Sequence, residues 1–256
     1  MRNAILILVS AVFLAGCVEV TNAPQPSNDR PTENTQPPPN QTGVRYFRSA
    51  SDGVARYRSL SRQMEPRIEQ ICRSFHADQN RNFCDYQFKL ISDTKQPPNA
   101  FLSLDNQRRP VITFTVNLLR SMANNDEIAF VIGHEAGHQI AEHIYKARDS
   151  TVAGSLAGAI LAGVIGADPQ SGADLGAFVG RRAYSKEWEF EADTIGAHIA
   201  YRAGYSPIAG IGYFRRNETG SNAFLATHPP SRERIRVVEN TYNRIIQSGG
   251  NAPIRW

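Results

Sequence analysis

The chain has 256 residues, of which 41% are hydrophobic, and this is enough apolar material for one sizeable core. Its formal net charge is +4 at pH 7, and the lysines and arginines are scattered along the chain rather than gathered in a run. A nucleic-acid-binding protein would carry a basic stripe or a zinc-finger spacing. The sequence contains neither, so we expect no nucleic-acid partner.

Residues 1–16 are predicted to be a signal peptide. Arg2 gives a short positive start, and the apolar run Ala4–Ala15 is too short to cross a bilayer. The small residues before Cys17 resemble the lipobox of bacterial lipoproteins, which implies acylation of Cys17 and attachment to a membrane. The alternative is an ordinary secretory signal with an incidental cysteine. Val18, rather than Asp, after that cysteine resembles lipoproteins of the Gram-negative outer membrane that face the periplasm.

Residues 17–43 are predicted to form the lipid anchor and a disordered, proline-rich tether. Six prolines lie between Val18 and Gly43 among Asn, Gln, Thr and Ser, and aliphatic residues are almost absent after Val20. Such a segment cannot bury enough apolar surface to offset the entropy of ordering. From Val44 the composition becomes globular, so residues 44–256 are predicted to be the folded domain.

The folded domain is predicted to begin with a long amphipathic helix. Its apolar residues recur at three- and four-residue steps, at Tyr57, Leu60, Met64, Ile68 and Ile71. Cys72 and Cys84 follow. A disulfide between them is expected, because the signal peptide directs the chain to an oxidising compartment. Two buried thiols are the alternative.

Three short strands are predicted next, at Asp85–Ile91, Phe101–Leu104 and Val111–Val116. Turn-forming residues separate them, so we expect a small antiparallel sheet beside the following helix. Asn124 or Asn125 is predicted to cap that helix.

This helix contains the spacing H-E-x-x-H, with His134, Glu135 and His138 inside an apolar-periodic run. On a helix that turns about 100° per residue, the two histidines lie about 40° apart on one face and can share a metal ion. Glu135 lies beside the ion, where its carboxylate can take a proton from water. The motif is short enough to arise by chance, in which case the histidines only face a core.

The apolar segment Val152–Ala167 is rich in Gly and Ala and is short for crossing a bilayer. It is predicted to be either a buried helix that allows close backbone approach or a surface-active segment that contacts membrane or a client protein.

A third metal ligand is expected near residue 190, where the chain has three glutamates. Glu189 and Asp193 share a helix face with Gly196, so Glu189 can bind the metal while Asp193 accepts a hydrogen bond from a ligating imidazole. Small residues on this face let two helices approach closely. Glu187 and Glu191 fall on the far side, and we interpret them as a solvated acidic face.

His143 is a competing ligand, but it follows His134 by nine residues, or about 900°, which turns it to the opposite side of the helix. The predicted site is therefore two histidines and Glu189, with a position open for water as in catalytic zinc sites.

Together these motifs resemble the HtpX-like zinc metalloendopeptidases, a family that includes the CAAX prenyl proteases and several bacterial lipoproteins. The resemblance also rests on two further blocks, Asn99-Ala100-Phe101 ahead of the helix and Thr227-His228-Pro229 followed by Arg234. It implies that one zinc ion per chain binds His134, His138 and Glu189, and that Glu135 is the catalytic base. It also implies a zincin fold of gluzincin type and polypeptide substrates.

The resemblance gives His228 three alternative roles. The matching histidine of some lipoprotein relatives can approach zinc and hold the enzyme inactive, so His228 is expected to be an inhibitory switch, a transition-state donor or a structural residue. Arg234 is expected close behind the metal ligands, and either residue could steady an oxyanion.

The sequence thus predicts a mainly helical α+β domain that is attached to the cell envelope by a lipid. The resemblance implies that this domain uses zinc to hydrolyse unfolded or damaged envelope proteins. The alternative is a zinc-stabilised chaperone or binding module that does not cut. Glu135 argues against this alternative, because a purely structural zinc site needs no base.

Overall fold

The computed structural model describes residues 49–149, 184–218 and 222–256, which form a mainly helical α+β fold with a three-stranded sheet. The predictions for residues 1–43, including Cys17, and for Val152–Ala167 lie outside the described residues.

Helix α1 spans Ala50–Phe75 and confirms the predicted amphipathic helix. Ser49 caps it by accepting a hydrogen bond from the backbone N–H of Asp52 (3.2 Å). All five residues of the predicted apolar stripe are buried against the core: Tyr57, Leu60, Met64, Ile68 and Ile71.

A disulfide joins Cys72 in α1 to Cys84, which ends a short 3₁₀ helix at Arg81–Cys84. The carbonyl of Phe83 in this 3₁₀ helix accepts a hydrogen bond from the side chain of Gln139 (3.1 Å). Gln139 directly follows His138, so the disulfide-linked segment contacts the helix that carries the H-E-x-x-H motif.

The sheet contains β1 (Gln87–Ile91), β2 (Ala100–Leu104) and β3 (Pro110–Thr115) in the order β1-β3-β2. β2 pairs antiparallel with β3, but β1 pairs parallel with β3. The prediction of a wholly antiparallel sheet was therefore wrong. The difference comes from strand order. β3 is buried along its whole length and occupies the centre of the sheet, so β1 lies beside β3, which runs in the same direction, and not beside β2.

Two short helices and one long helix follow the sheet: α2 (Val116–Ser121), α3 (Asn125–Ile140) and α4 (His143–Asp149). Asn124 caps α3 as predicted, with its side chain accepting from the backbone N–H of Glu127 (3.0 Å). After residue 183 come α5 (Lys186–Arg202), α6 (Pro207–Gly210), α7 (Gly212–Arg216), α8 (Ala223–Thr227) and α9 (Arg232–Gln247). Among the described helices, none combines the length and the apolar character needed to cross a membrane.

Helices α3 and α5 pack backbone against backbone. A Cβ added at Gly133 would lie 2.8 Å from the carbonyl oxygen of Gly196, and one at Gly137 would lie 2.8 Å from the carbonyl oxygen of Ala192. Both separations are shorter than side-chain carbons tolerate, so this contact requires glycine. It places the H-E-x-x-H face of α3 directly against the E-x-x-x-D face of α5.

Replacing Gly196 with Ala should push these helices apart, because its new Cβ would lie 2.8 Å from the backbone nitrogen of His134. We expect a loss of about 1–3 kcal/mol in the free energy of unfolding, the usual cost of overpacking. Urea denaturation measures this loss. Glu187→Ala, on the exposed first turn of α5, is the control and should stay near wild type. Equal stability of the two variants would contradict the assigned contact.

Candidate metal centre

The predicted site residues come together in one buried cluster. His134, Glu135 and His138 lie on α3, Glu189 and Asp193 lie on α5, His228 is the C-cap residue of α8, and Arg234 lies in the first turn of α9. Each of these seven residues is at most 3% exposed.

Four of these residues, His134, His138, Glu189 and His228, offer ligand atoms that all lie within 4.8 Å of one another. The Nε2 atoms of His134 and His138 are 3.1 Å apart, and each lies 3.4 Å from an oxygen of Glu189. A tetrahedral zinc ion with bonds of about 2.0–2.1 Å has ligand atoms about 3.3 Å apart. The spacing and the nitrogen and oxygen donors therefore fit zinc.

Asp193 and Arg234 support this cluster from behind. Asp193 Oδ1 lies 2.9 Å from His134 Nδ1, so the carboxylate accepts the N–H that leaves Nε2 free for a metal. Arg234 donates to both oxygens of Asp193 at 2.7 Å, and its Nη1 lies 2.8 Å from Glu189 Oε2. All three guanidinium nitrogens of Arg234 therefore contact carboxylates of the cluster.

Burial and neighbouring carboxylates together determine the protonation of the buried imidazoles. Burial lowers the pKa of His134, but Glu189 and Asp193 outweigh burial and raise this pKa to about 9. Burial lowers the pKa of His138 well below its usual range. For Glu189, burial raises the pKa, yet Arg234, His228 and His134 together hold it well below its usual range. Glu189 therefore stays ionised, and its negative charge attracts a cation to the cluster.

Glu135 carries an unpaired oxygen inside this site. Its side chain is 1% exposed, and Oε1 has no hydrogen-bond partner among the described residues. His228 Nε2 lies 3.4 Å away without hydrogen-bond geometry. A buried acceptor left unpaired costs about 1–3 kcal/mol, and this one is offered to the interior of the cluster beside His228.

His228 lies in the fourth position of the cluster. Its Nδ1 is 3.1 Å from His134 Nε2 and 3.1 Å from Glu189 Oε1. As the C-cap residue of α8, His228 donates its backbone N–H to the carbonyl of Phe224 in the first turn of that helix (2.9 Å). The imidazole therefore occupies the side of the site that the sequence-based interpretation left open for water.

His143 and Glu191 do not lie where the sequence analysis placed them. Helix α3 ends at Ile140, Glu142 adopts a φ of 60°, and His143 begins α4. His143 Nδ1 consequently lies 2.8 Å from His138 Nδ1, rather than on the opposite side of the helix, and its Nε2 lies 2.9 Å from Glu191 Oε2. Glu191 therefore contacts a buried histidine as well as solvent. Burial lowers the pKa of His143 to about 4.

Two aromatic residues that the sequence analysis did not single out also contact this cluster. Tyr184 stacks on His138 with ring centroids 3.8 Å apart, and Trp188 stacks on His143 with centroids 5.0 Å apart. Both lie within five residues before Glu189 in the chain, and this closeness in sequence was the feature from which their contact with the cluster could have been predicted.

One buried cluster thus contains three histidines, a glutamate placed as a ligand and a second glutamate with an unpaired oxygen. This is the composition of a zinc peptidase centre. The family comparison agrees: residues 61–242 match the model of peptidase family M48. The chain belongs to this family.

Curated relatives carry names of the same kind. The chain is 33% identical over 160 residues to mitochondrial metalloendopeptidase OMA1 of Saccharomyces cerevisiae, covering 59% of this chain and 45% of the relative. It is 27% identical over 245 residues to a protease HtpX homolog of Salinibacter ruber, covering 79% and 84%. It is 28% identical over 130 residues to metalloprotease LoiP of Escherichia coli, covering 48% and 52%. The chain spans less than half the length of the OMA1 relatives that it matches.

Proposed function

We propose that this protein is a lipid-anchored zinc metalloendopeptidase that hydrolyses unfolded or damaged cell-envelope proteins. The observation that carries the proposal is the convergence of His134, His138 and Glu189 beside the unpaired carboxylate of Glu135. Membership of peptidase family M48 supports the same reaction class. We also propose a zincin domain of gluzincin type, with two ligands from α3 and the third from α5.

In this proposal, one zinc ion is held by the Nε2 atoms of His134 and His138 and by the carboxylate of Glu189. A bound zinc ion supplies Lewis acidity, which activates water and polarises a peptide carbonyl. Glu135 accepts the proton of the attacking water at Oε1 and passes it to the leaving amine. Asp193 and Arg234 hold His134 and Glu189 in place throughout.

The non-cleaving chaperone or binding module is the weaker candidate. Such a protein would use zinc only to stabilise its fold, and its four ligands would suffice for that purpose. It would have no use for a buried, unpaired carboxylate at Glu135, whose oxygen lacks a partner among the described residues.

Of the three roles expected for His228, we propose the inhibitory switch. Its Nδ1 lies as close to His134 Nε2 as His138 Nε2 does, at 3.1 Å, which supports a fourth ligand better than a donor aimed at substrate. With His228 in this position, the water that Glu135 needs has no place. Activity then requires His228 to move away from the cluster.

Attachment to the cell envelope is proposed from residues outside the described ranges. The short apolar run and the small residues before Cys17 support a lipoprotein signal, and Val18 supports the outer membrane facing the periplasm. The proline-rich stretch up to Gly43 would then tether the catalytic domain to the lipid.

The assigned base is tested with Glu135→Gln, which removes the proton acceptor but keeps the shape of the side chain. We expect it to bind zinc like wild type and to lose at least about 10²-fold in the cleavage rate of unfolded casein. Glu189→Gln is the matched control, because it should lose both zinc and cleavage. Casein cleavage is followed by gel and zinc by metal analysis. Undiminished cleavage by Glu135→Gln would refute the mechanism.

The proposed switch predicts that His228→Ala raises the cleavage rate while zinc stays bound. Removal of the imidazole frees the fourth position, so unfolded casein or the enzyme itself should be cut faster. A drop of about 10² or more would instead identify a transition-state donor. A rate equal to wild type would leave His228 with a structural role only.

The proposed anchor predicts that Cys17→Ser abolishes acylation and releases the protein from the membrane fraction. Mass measurement of the purified protein reports the acyl chains, and fractionation reports the location. Unchanged retention of Cys17→Ser in the membrane would exclude Cys17 as the anchor and direct attention to Val152–Ala167.

A further inference from the structure

Each H-E-x-x-H histidine has a partner on the ring nitrogen that faces away from the cluster. For His134 this partner is Asp193, at 2.9 Å from Nδ1. For His138 it is His143, whose Nδ1 lies 2.8 Å from His138 Nδ1. His143 in turn places its Nε2 at 2.9 Å from Glu191 Oε2. Neither His143 nor Glu191 belongs to the four-residue set that can hold a metal.

The positions of the protons follow from these contacts. A metal takes the lone pair of His138 Nε2 only if the ring carries its proton on Nδ1. This N–H must then donate to His143 Nδ1, which accepts only if the proton of His143 sits on Nε2. A carboxylate oxygen is purely an acceptor, so Glu191 selects that tautomer of His143. The opposite tautomer would bring two N–H groups face to face at 2.8 Å.

Packing restrains both rings in this arrangement. Tyr184 stacks on His138 with an interplanar angle of 19°, and Trp188 stacks on His143 with an angle of 8°. The His143 side chain is fully buried, whereas that of Glu191 is 30% exposed. The chain of hydrogen bonds thus runs from a buried imidazole at the cluster to a carboxylate at the surface, where water stabilises the charge.

We propose that His143 and Glu191 are positioning residues, which fix the tautomer of His138 and thereby strengthen metal binding. This inference rests on the proposed function, because it takes His138 as a zinc ligand. Neither residue touches substrate. Their contribution is to keep the Nε2 lone pair of His138 directed at the cluster and to raise its basicity.

The first test compares Glu191→Ala with Glu187→Ala in the full-length protein. Both variants remove one glutamate from the same helix, but Glu187 is exposed. Zinc affinity is measured by competition with a chelator of known affinity. Glu191→Ala should weaken binding about tenfold or more, the usual effect of losing such a partner, and Glu187→Ala should bind like wild type. Since Glu191 is half-buried, its loss should leave the fold intact, which thermal unfolding without metal verifies.

The second test separates hydrogen bonding from packing at His143. His143→Asn offers a carbonyl oxygen to His138 Nδ1, whereas His143→Leu fills the space without an acceptor. We expect the leucine variant to lose about tenfold or more in zinc affinity and the asparagine variant to lose much less. In the His143→Asn background, Glu191→Ala should have no further effect, because the connection to His138 is already cut.

Two results would overturn this inference alone: wild-type zinc affinity in Glu191→Ala, or equal affinities in the leucine and asparagine variants at His143. Absence of zinc binding by the wild-type protein would be a different failure, because it would remove the proposed function and this inference together. If the wild-type protein binds zinc but these variants do not differ in zinc affinity as expected, only the positioning role of His143 and Glu191 fails.

Discussion

The backbone contact between α3 and α5 is the constraint on which the site depends. Gly133 and Gly137 face Ala192 and Gly196 at a separation that leaves no room for additional Cβ atoms on the glycines. Because the two backbones lie so close together, short side chains are enough to bring the carboxylates of α5 to the imidazoles of α3. One turn of α5 consequently delivers two different groups, a ligand-placed glutamate and the aspartate that orients the facing histidine. The small residues in both motifs are as necessary to the site as its polar residues.

Close packing also forces several charges into a buried space, and their pairing determines whether the fold tolerates them. Arg234 contacts Asp193 and Glu189 simultaneously and stacks over the ring of Phe214, 4.5 Å from its centroid. Removing one partner of such a buried pair typically destabilises a protein by about 3–5 kcal/mol, because the other charge stays behind. Helix α9 is therefore joined to the site by electrostatics, although it carries none of the four candidate ligands.

Much of the site could be predicted from the sequence, because it depends on helix geometry within a few residues. The 100° step placed His134 beside His138 and separated Glu189 from Glu187 correctly. The same rule failed at His143, since it assumed that α3 continues, whereas the helix ends at Ile140 and nothing in the local sequence marks that break. Strand bounds were also predictable from local patterns, but strand order was not, because it depends on which strand is buried on both faces.

The buried side chains of the cluster also set an overall charge balance. Three carboxylates, those of Glu135, Glu189 and Asp193, face a single guanidinium, that of Arg234, and all four groups are almost fully enclosed. The carboxylates raise the pKa of His134 to about 9, but a metal takes the lone pairs of neutral imidazoles, and in that state the four groups leave two uncompensated negative charges in a volume that water hardly reaches. A divalent cation brings this sum to zero, a monovalent ion leaves it negative and a trivalent ion makes it positive. Electroneutrality thus adds a second basis for selecting the ion, independent of the type and spacing of the ligands.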